Sequence, residues 1–146
     1  MEHGASLITT IAAGFGLSLS CASTVVLLKA LGIPYVVAEQ NRERVEDLRK
    51  GGAAAVSGNA ADPAVLIQAH IADAAMLVVA VADPVNVRQM VETARALNPD
   101  IEIVLRTRSE DELRLLRKEG FGTVFYDEEE LAKGMTSHVL RRMRRD

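Results

Sequence analysis

Residues 12–40, AAGFGLSLSCASTVVLLKALGIPYVVAEQ, read as a glycine turn, a helix and a short apolar strand that ends on an acid. In a nucleotide-binding α/β unit, a Gly-x-Gly turn lets the backbone approach a pyrophosphate, and an acid that ends the second strand binds a ribose. Gly14, Gly16 and Glu39 stand where this arrangement needs them. Leu19 occupies the place of the third glycine of the usual pattern, so the motif is incomplete.

The composition favours a single domain over residues 1–146. With 49% hydrophobic residues the chain can bury a sizeable core, and the scarcity of aromatic residues makes that core aliphatic. A net charge of -3 with no basic stripe argues against nucleic acid as a partner. The single cysteine, Cys21, excludes an internal disulfide, and no cluster of His, Cys and Asp has the spacing of metal ligands.

Two interpretations are open for the start of the chain, because residues 7–28 carry no charge and are mainly apolar or hydroxylated. In the first, residues 6–11 form a buried strand, residues 13–16 a turn and residues 18–31 the first helix. In the second, residues 7–28 insert into a membrane as a helix, since about 18 or more uncharged, mainly apolar residues can span a bilayer.

Further along the chain, short apolar runs alternate with amphipathic segments. The predicted strands are Tyr35–Ala38, Ala54–Ser57, Ala75–Val81, Ile101–Leu105 and Thr123–Tyr126. The first three predicted helices are Arg42–Lys50, one starting at Asp62 or Pro63, and one starting at Asp83 and Pro84. A fourth is capped by Ser109 and runs through Lys118, with Glu112 at a capping-box position. The last predicted helix starts at about Glu128. This alternation predicts an α/β fold with a Rossmann-like, doubly wound parallel sheet of about six strands.

In such sheets, ligands bind at the carboxyl ends of the strands, near the point where the strand order reverses. The candidate binding residues that this rule brings together are Gly14, Gly16, Glu39, Gln40, Asn59, Ala60, Ala80 and Arg106. Alternatives are open for several of them. The two glycines could serve helix packing in a membrane, Glu39 could be a solvated strand end, and Arg106 could form a surface ion pair instead of a phosphate contact.

The acid at position 39 bears on the choice of nucleotide. A carboxylate at the end of the second strand accepts hydrogen bonds from ribose hydroxyls and repels a 2′-phosphate. NAD(H) or an adenine nucleotide therefore fits better than NADP(H), although Arg42 and Arg44 leave this preference open.

Four segments, taken in order, suggest a family. They are GIPYVVAEQNRERVEDLRKGG, VSGNAADPAVL, MLVVAVADP and ALNPDIEIVLRTRSEDELRLLRKEG, followed by an acidic closing helix. The span that contains them, from Gly32 to about Met143, is roughly three quarters of the chain and resembles the RCK N-terminal or TrkA-N (KTN) NAD-binding domain, most nearly the C-terminal regulatory domain of Kef-type potassium/proton antiporters. The combination carries the resemblance: a strand-two acid, a Gly-Asn-Ala-x-Asp turn and a strand-five arginine.

The resemblance implies a non-catalytic domain that binds NAD(H), AMP or ATP and controls potassium or cation/proton transport. It also implies a homodimer or higher homo-oligomer, a membrane cation transporter as partner, and a location at the cytoplasmic face of the membrane. By position, the nucleotide contacts would be Gly14, Gly16 and Arg106 for phosphate, Glu39 for ribose, and Asn59 and Ala60 beside the adenine.

Residues 1–31 depart from the family pattern, because the third glycine is missing and no charge precedes Lys29 in the helix. They represent either a divergent first strand, turn and helix or a remnant of a transporter membrane helix. The two alternative functions are an NAD-dependent oxidoreductase and a membrane-embedded antiporter fragment. An NAD-dependent oxidoreductase is disfavoured because no Tyr-x-x-x-Lys pair and no substrate domain are present, and a membrane-embedded antiporter fragment follows only from the membrane interpretation.

Overall fold

The computed structural model of the chain describes residues 8–13, 19–80 and 84–144. Its strands are β1 (Ile8–Ala13), β2 (Tyr35–Glu39), β3 (Ala54–Ser57), β4 (Ala74–Val79), β5 (Glu102–Thr107) and β6 (Thr123–Tyr126). They form one parallel sheet in the order β3-β2-β1-β4-β5-β6. The order reverses between β1 and β4, as in doubly wound Rossmann-like folds, so the predicted α/β class is confirmed.

The helices of the described segments lie between and after these strands. They are α1 (Leu19–Ala30), α2 (Arg42–Lys50), α3 (Pro63–Gln68), α4 (Pro84–Leu97), α5 (Glu110–Glu119) and α6 (Asp127–Met143), with a short 3-10 turn at Ile71–Asp73. The observed boundaries differ from the predicted ones by one or two residues. β2 extends to Glu39, β4 starts at Ala74 and ends at Val79, and α6 starts at Asp127.

The first strand lies at the centre of the sheet, where β1 pairs with β2 on one side and with β4 on the other. It begins at residue 8 and runs to Ala13, two residues beyond the predicted end, because Ala13 pairs with Glu39. The predicted turn residues Gly14 and Gly16 lie outside the described residues. Among the helices that the structure describes, none combines the length and the hydropathy required to cross a bilayer.

Local sequence explains where α5 begins and ends. The Ser109 hydroxyl oxygen accepts a hydrogen bond from the Glu112 backbone N–H at 3.2 Å, which confirms the predicted N-cap. Gly120 ends the helix in the left-handed conformation, with φ of 69°. The capping box itself is not formed, because the Ser109 N–H donates to the Thr107 hydroxyl and Glu112 accepts from that same hydroxyl.

The core is aliphatic and forms two clusters of buried residues. The larger cluster joins β4 and β5 to α3, α4 and α5, with Leu77 and Leu105 fully buried. The smaller one joins Val37 of β2 to α1 and α2. None of the described side chains of α6 is buried, so this helix contributes nothing to either cluster.

Candidate functional site

The register of the strands places several of the predicted site residues at one edge of the sheet. At the carboxyl end of β2, Glu39 pairs with Ala13 of β1 and with Ser57 of β3. On the other side of β1, Val79 is the last residue of β4, so Ala80 follows at the same edge. The edge next to the reversal of strand order is therefore formed by the ends of β3, β2, β1 and β4, as the Rossmann-like fold requires for a ligand site.

Glu39 is the central residue of this edge, and its side chain is 0% exposed. Its Oε2 atom accepts a hydrogen bond of 2.8 Å from the backbone N–H of Asn41. The Asn41 side chain in turn accepts hydrogen bonds from the N–H groups of Glu43 and Arg44 and so caps α2. The carboxylate is thereby fixed by the main chain that starts α2, and the interpretation of Glu39 as a solvated strand end is wrong.

The second oxygen of the same carboxylate lacks a comparable partner. Within the described part of the chain, neither Glu39 Oε1 nor Arg44 Nη1 makes a hydrogen bond, although both atoms are buried. The two atoms are 4.0 Å apart, which is an ion pair at the limit of contact and too long for a hydrogen bond. A buried carboxylate oxygen without a donor is costly, so this atom is suited to accept a hydrogen bond from a bound hydroxyl.

The β3–α3 loop is attached to the end of β2. The Gly58 N–H donates a hydrogen bond of 2.9 Å to the backbone carbonyl of Glu39. Gly58 has φ of 145°, and a Cβ added there would lie 2.5 Å from Cγ2 of Val65. Glycine is therefore required both by the backbone conformation and by the close approach of α3.

The turn that follows Gly58 is fixed by its own hydrogen bonds. Asn59 Oδ1 accepts from the Ala61 N–H at 2.9 Å, and the Asn59 carbonyl accepts from the Asp62 N–H at 2.9 Å. Asp62 then caps α3 by accepting from the Ala64 N–H. This arrangement leaves Asn59 exposed and Ala60 buried beside the end of β2, where the adenine side of the site was predicted.

Arg106 lies near the end of β5, three strands from β2 in the sheet order. At about 4.8 Å between neighbouring strands, it is roughly 14 Å from the Glu39 position along the sheet. Its guanidinium donates to both carboxylate oxygens of Asp127, at 3.2 Å and 2.8 Å. The ion-pair alternative for Arg106 is thus observed, and a phosphate contact by this residue stays a prediction.

The structure therefore brings some predicted residues together and separates others. Glu39, Gln40, Asn59 and Ala60 cluster at the ends of β2 and β3, and Ala80 lies two strands away beyond β1. Sequence reasoning did not assign Arg44 to the site. The signal was its position five residues after Glu39, in the first turn of α2.

A groove of about 430 Å³ lies elsewhere, between α1 and α2. Its lining includes Val25, Lys29, Tyr35 and Gly51, so it opens toward the amino ends of the strands. Lys29 closes part of it by donating a 2.7 Å hydrogen bond to the Gly51 carbonyl. Its lining also includes Arg44, so at the start of α2 this groove adjoins the candidate site.

Fold and site together define a Rossmann-like domain with an acid at the end of its second strand. The family model of the TrkA-N domain matches residues 15–127. The chain is 39% identical over 108 residues to the "Putative cation/proton antiporter YbaL" of Escherichia coli (strain K12), an alignment that covers 74% of this chain and 19% of YbaL. The crystal structure of the TrkA-N domain of that inner membrane protein is 33% identical with a TM-score of 0.77, covering 90% of this chain and 95% of the other. The chain belongs to the TrkA-N domain family.

Two further solved structures share the fold. The Shewanella denitrificans Kef C-terminal domain in its AMP-bound form has a TM-score of 0.70 at 20% identity, covering 95% of this chain and 82% of that one. The GsuK channel bound to NAD has a TM-score of 0.66 at 22% identity, covering 80% and 20%. At these identities the likeness shows the fold alone. The chain spans less than a fifth of the length of the curated relatives it matches, from 15% to 19%.

Proposed function

We propose that this chain is a non-catalytic, nucleotide-sensing regulatory domain that controls potassium or cation/proton transport by a membrane protein. The ligand is NAD(H) or an adenine nucleotide such as AMP or ATP. The observation that carries the proposal is the buried carboxylate of Glu39 at the ligand-binding edge of the sheet, one oxygen of which has no hydrogen-bond donor among residues 8–13, 19–80 and 84–144.

The chemistry of this carboxylate favours a ribose with free hydroxyl groups. A ribose hydroxyl bound here would donate to Glu39 Oε1 and accept from Arg44 Nη1, since two atoms 4.0 Å apart can share one oxygen at hydrogen-bond distance from each. Both atoms are buried in the unliganded chain, so the hydroxyl reaches them only when the groups around them move aside. A 2′-phosphate would place negative charge against the same carboxylate. NAD(H) is therefore preferred over NADP(H). Arg44 donates to the ribose hydroxyl and does not offset the repulsion between Glu39 and a 2′-phosphate.

The other contacts are proposed from position. Asn59 and Ala60 lie beside the adenine, Ala80 lines the middle of the edge, and Gly14 and Gly16 approach the phosphates. Central pairing of β1 supports a role for residues 1–31 as the divergent first unit of one domain over residues 1–146. For Arg106 we propose a phosphate contact in which the phosphate either joins Asp127 at the guanidinium or replaces it.

The partners are proposed from the relatives. YbaL carries the name of a cation/proton antiporter, and the two more distant structures are a Kef domain and a channel. We propose a homodimer of this chain at the cytoplasmic face of the membrane, in contact with a cation transporter. A ligand that binds one arrangement of the dimer more tightly shifts the transporter by the difference between its two affinities.

Nucleotide binding is tested by thermal unfolding of the purified chain with NADH, NAD, AMP, ATP and NADPH. A ligand at about a hundred times its Kd stabilises by roughly 2.7 kcal/mol, which is about 5–10 °C for a chain of this size. We expect shifts of this order with NADH or the adenine nucleotides and a smaller one with NADPH. The absence of a shift with all five ligands at millimolar concentration would contradict the proposal.

Regulation is tested by placing this chain in YbaL in place of the native TrkA-N domain. Cation/proton exchange is then measured in membrane vesicles with and without the nucleotide that gives the largest thermal shift. We expect the nucleotide to change the flux in the chimera, and a chimera that carries Glu39→Gln serves as the matched control. An active chimera with the same nucleotide response in both forms would refute the regulatory role of this site.

A further inference from the structure

The start of the last helix is attached to the arginine that is proposed to contact a phosphate. Asp127, the first residue of α6, accepts hydrogen bonds from Nε of Arg106 at 3.2 Å and from Nη2 at 2.8 Å. Nε of Arg108 lies 3.7 Å from the same carboxylate. One carboxylate therefore occupies an edge of the Arg106 guanidinium and lies within ion-pair distance of a second cation.

The two partners of this ion pair differ in their exposure to water. The Arg106 side chain is 18% exposed, whereas the Asp127 side chain is 41% exposed. A mostly buried cation needs an anion beside it, because water no longer offsets the cost of its burial. Asp127 can return to water through a change of its side-chain rotamer, and an exposed ion pair of this kind is weak. The carboxylate is therefore the partner that can leave.

A phosphate competes for the same atoms of the guanidinium. Arginine binds carboxylates and phosphates in the same way, through two parallel N–H···O hydrogen bonds from one edge. A phosphate that joined Asp127 at Arg106 would bring two anions close together, and they would repel one another. A phosphate that replaces Asp127 keeps the buried cation paired and avoids this repulsion.

We propose that Asp127 is the counterion of Arg106 in the unliganded chain and that a phosphate of the bound nucleotide displaces it. The inference rests on the proposed function, since it requires a nucleotide whose phosphate reaches Arg106. The Arg108 side chain is 68% exposed and can pair with either anion. Asp127 thereby lowers the affinity of the chain for phosphorylated ligands.

The exchange of counterions also changes the attachment of α6. None of the described α6 side chains is buried, so apolar packing does not hold this helix. Two acids of its first turn form ion pairs with the rest of the domain, Asp127 with Arg106 and Glu129 with Arg117 at 2.7 Å. Displacement of Asp127 breaks the first pair and leaves the second. The phosphate of the nucleotide is thereby coupled to the start of α6.

The first experiment measures the Kd of ATP and of adenosine by calorimetric titration of Asp127→Asn. Asparagine has the same shape without the charge, so ATP no longer has to displace an anion. We expect the Kd of ATP to fall about two- to fivefold, the range of an exposed ion pair, and the Kd of adenosine to stay unchanged. Glu130→Gln is the matched control, because Glu130 is a 40% exposed acid of the same turn that pairs with Lys133 inside α6. This control should change neither Kd.

The second experiment tests whether the gain depends on the guanidinium. Arg106→Gln should raise the Kd of ATP by about tenfold, because it removes the hydrogen bonds to the phosphate. Adding Asp127→Asn to this variant should then give little further change. An equal gain with and without Arg106 would mean that Asp127 acts on the ligand only through long-range charge, which would overturn the displacement.

The third experiment follows α6 in the folded wild-type chain by amide hydrogen exchange. Saturating ATP should speed the exchange of the α6 amides beyond the first turn, and saturating adenosine should not, because only ATP removes Asp127 from Arg106. In Asp127→Asn these amides should exchange fast without ligand, and ATP should add nothing.

The outcomes separate this inference from the proposed function. A wild-type chain that binds neither ATP nor adenosine would overturn the proposed function and this inference with it. A chain that binds ATP, but no more tightly as Asp127→Asn than as wild type, would overturn the inference alone. Tighter binding by Asp127→Asn with α6 exchange that ATP leaves unchanged in wild type would overturn the coupling to α6.

Discussion

Replacing Glu39 by glutamine tests the contribution of this carboxylate to nucleotide binding separately from its contribution to the fold. The glutamine side chain has the same shape, and its amide oxygen can still accept the hydrogen bond that Asn41 donates to Oε2. What disappears is the negative charge and the free acceptor at Oε1. The Glu39→Gln variant should therefore keep the fold and lose affinity for the nucleotide.

The expected magnitude follows from the surroundings of the carboxylate. A hydrogen bond to a charged acceptor contributes about 1.5–3 kcal/mol, so losing the ribose contact should raise the Kd by roughly 10- to 150-fold. In the absence of ligand, the variant loses only the 4.0 Å interaction with Arg44 and is relieved of a buried charge. We therefore expect the free energy of unfolding to change by at most ~1 kcal/mol.

The assay combines calorimetric titration of NAD and AMP with urea denaturation of the unliganded chain. Glu43→Gln is the matched control, because Glu43 is an exposed acid in the first turn of the same helix. It should change neither the nucleotide Kd nor the stability appreciably. Equal nucleotide affinity of Glu39→Gln and wild type, with both proteins folded, would refute the role assigned to this carboxylate.

Three further predictions concern stability. Gly58→Ala should lower the free energy of unfolding by about 1–3 kcal/mol in urea titrations, because the new Cβ would lie 2.5 Å from Cγ2 of Val65. Adding Val65→Ala should recover part of this loss. A single variant as stable as wild type would contradict the contact. Asn98→Ala removes two hydrogen bonds that Nδ2 donates, one of 3.1 Å to the Ile71 carbonyl and one of 2.6 Å to the Ala74 carbonyl at the start of β4, and should cost about 1–3 kcal/mol by the same measurement. A cost near zero would mean that these bonds do not form. The hydrogen bond from Arg117 lowers the pKa of Glu129 below its ordinary value of 4.5, so this carboxylate stabilises the fold above about pH 4.5 and loses that effect as pH falls through the lowered value. The melting temperature of wild type should therefore exceed that of Glu129→Gln at neutral pH and converge with it in acid, and a difference independent of pH would contradict the ion pair.

The regular helices were predictable because their ends are encoded locally. Asn41 and Ser109 cap α2 and α5 as expected from sequence, and Gly120 ends α5. The start of the chain was ambiguous for a physical reason. A central strand of a parallel sheet is typically a near-continuous apolar run without alternation of polar and apolar residues, so from sequence it resembles a buried or membrane helix. Pairing of β1 with β2 and β4 is a tertiary fact that this run cannot encode alone.

The position of Glu39 at a strand end was predictable from the sequence, but its environment was not. The spacing of Glu39 from the glycine turn indicates a strand-end acid, yet its burial depends on how α2 begins against β2. The ion pair of Arg106 with Asp127 could not be predicted from the sequence either, because Asp127 lies 21 residues later in the chain, at the start of α6. Sequence spacing shows which residues share an edge, whereas the competing partners of each charge emerge only from packing.

The most direct measurement compares binding of AMP and 2′,3′-dideoxy-AMP by calorimetry, in wild type and in Glu39→Gln. The account predicts that wild type binds AMP at least about tenfold more tightly than the dideoxy form, and that this preference largely disappears in the variant. Equal affinity of wild type for the two ligands, or the same preference in both proteins, would contradict recognition of the ribose by Glu39.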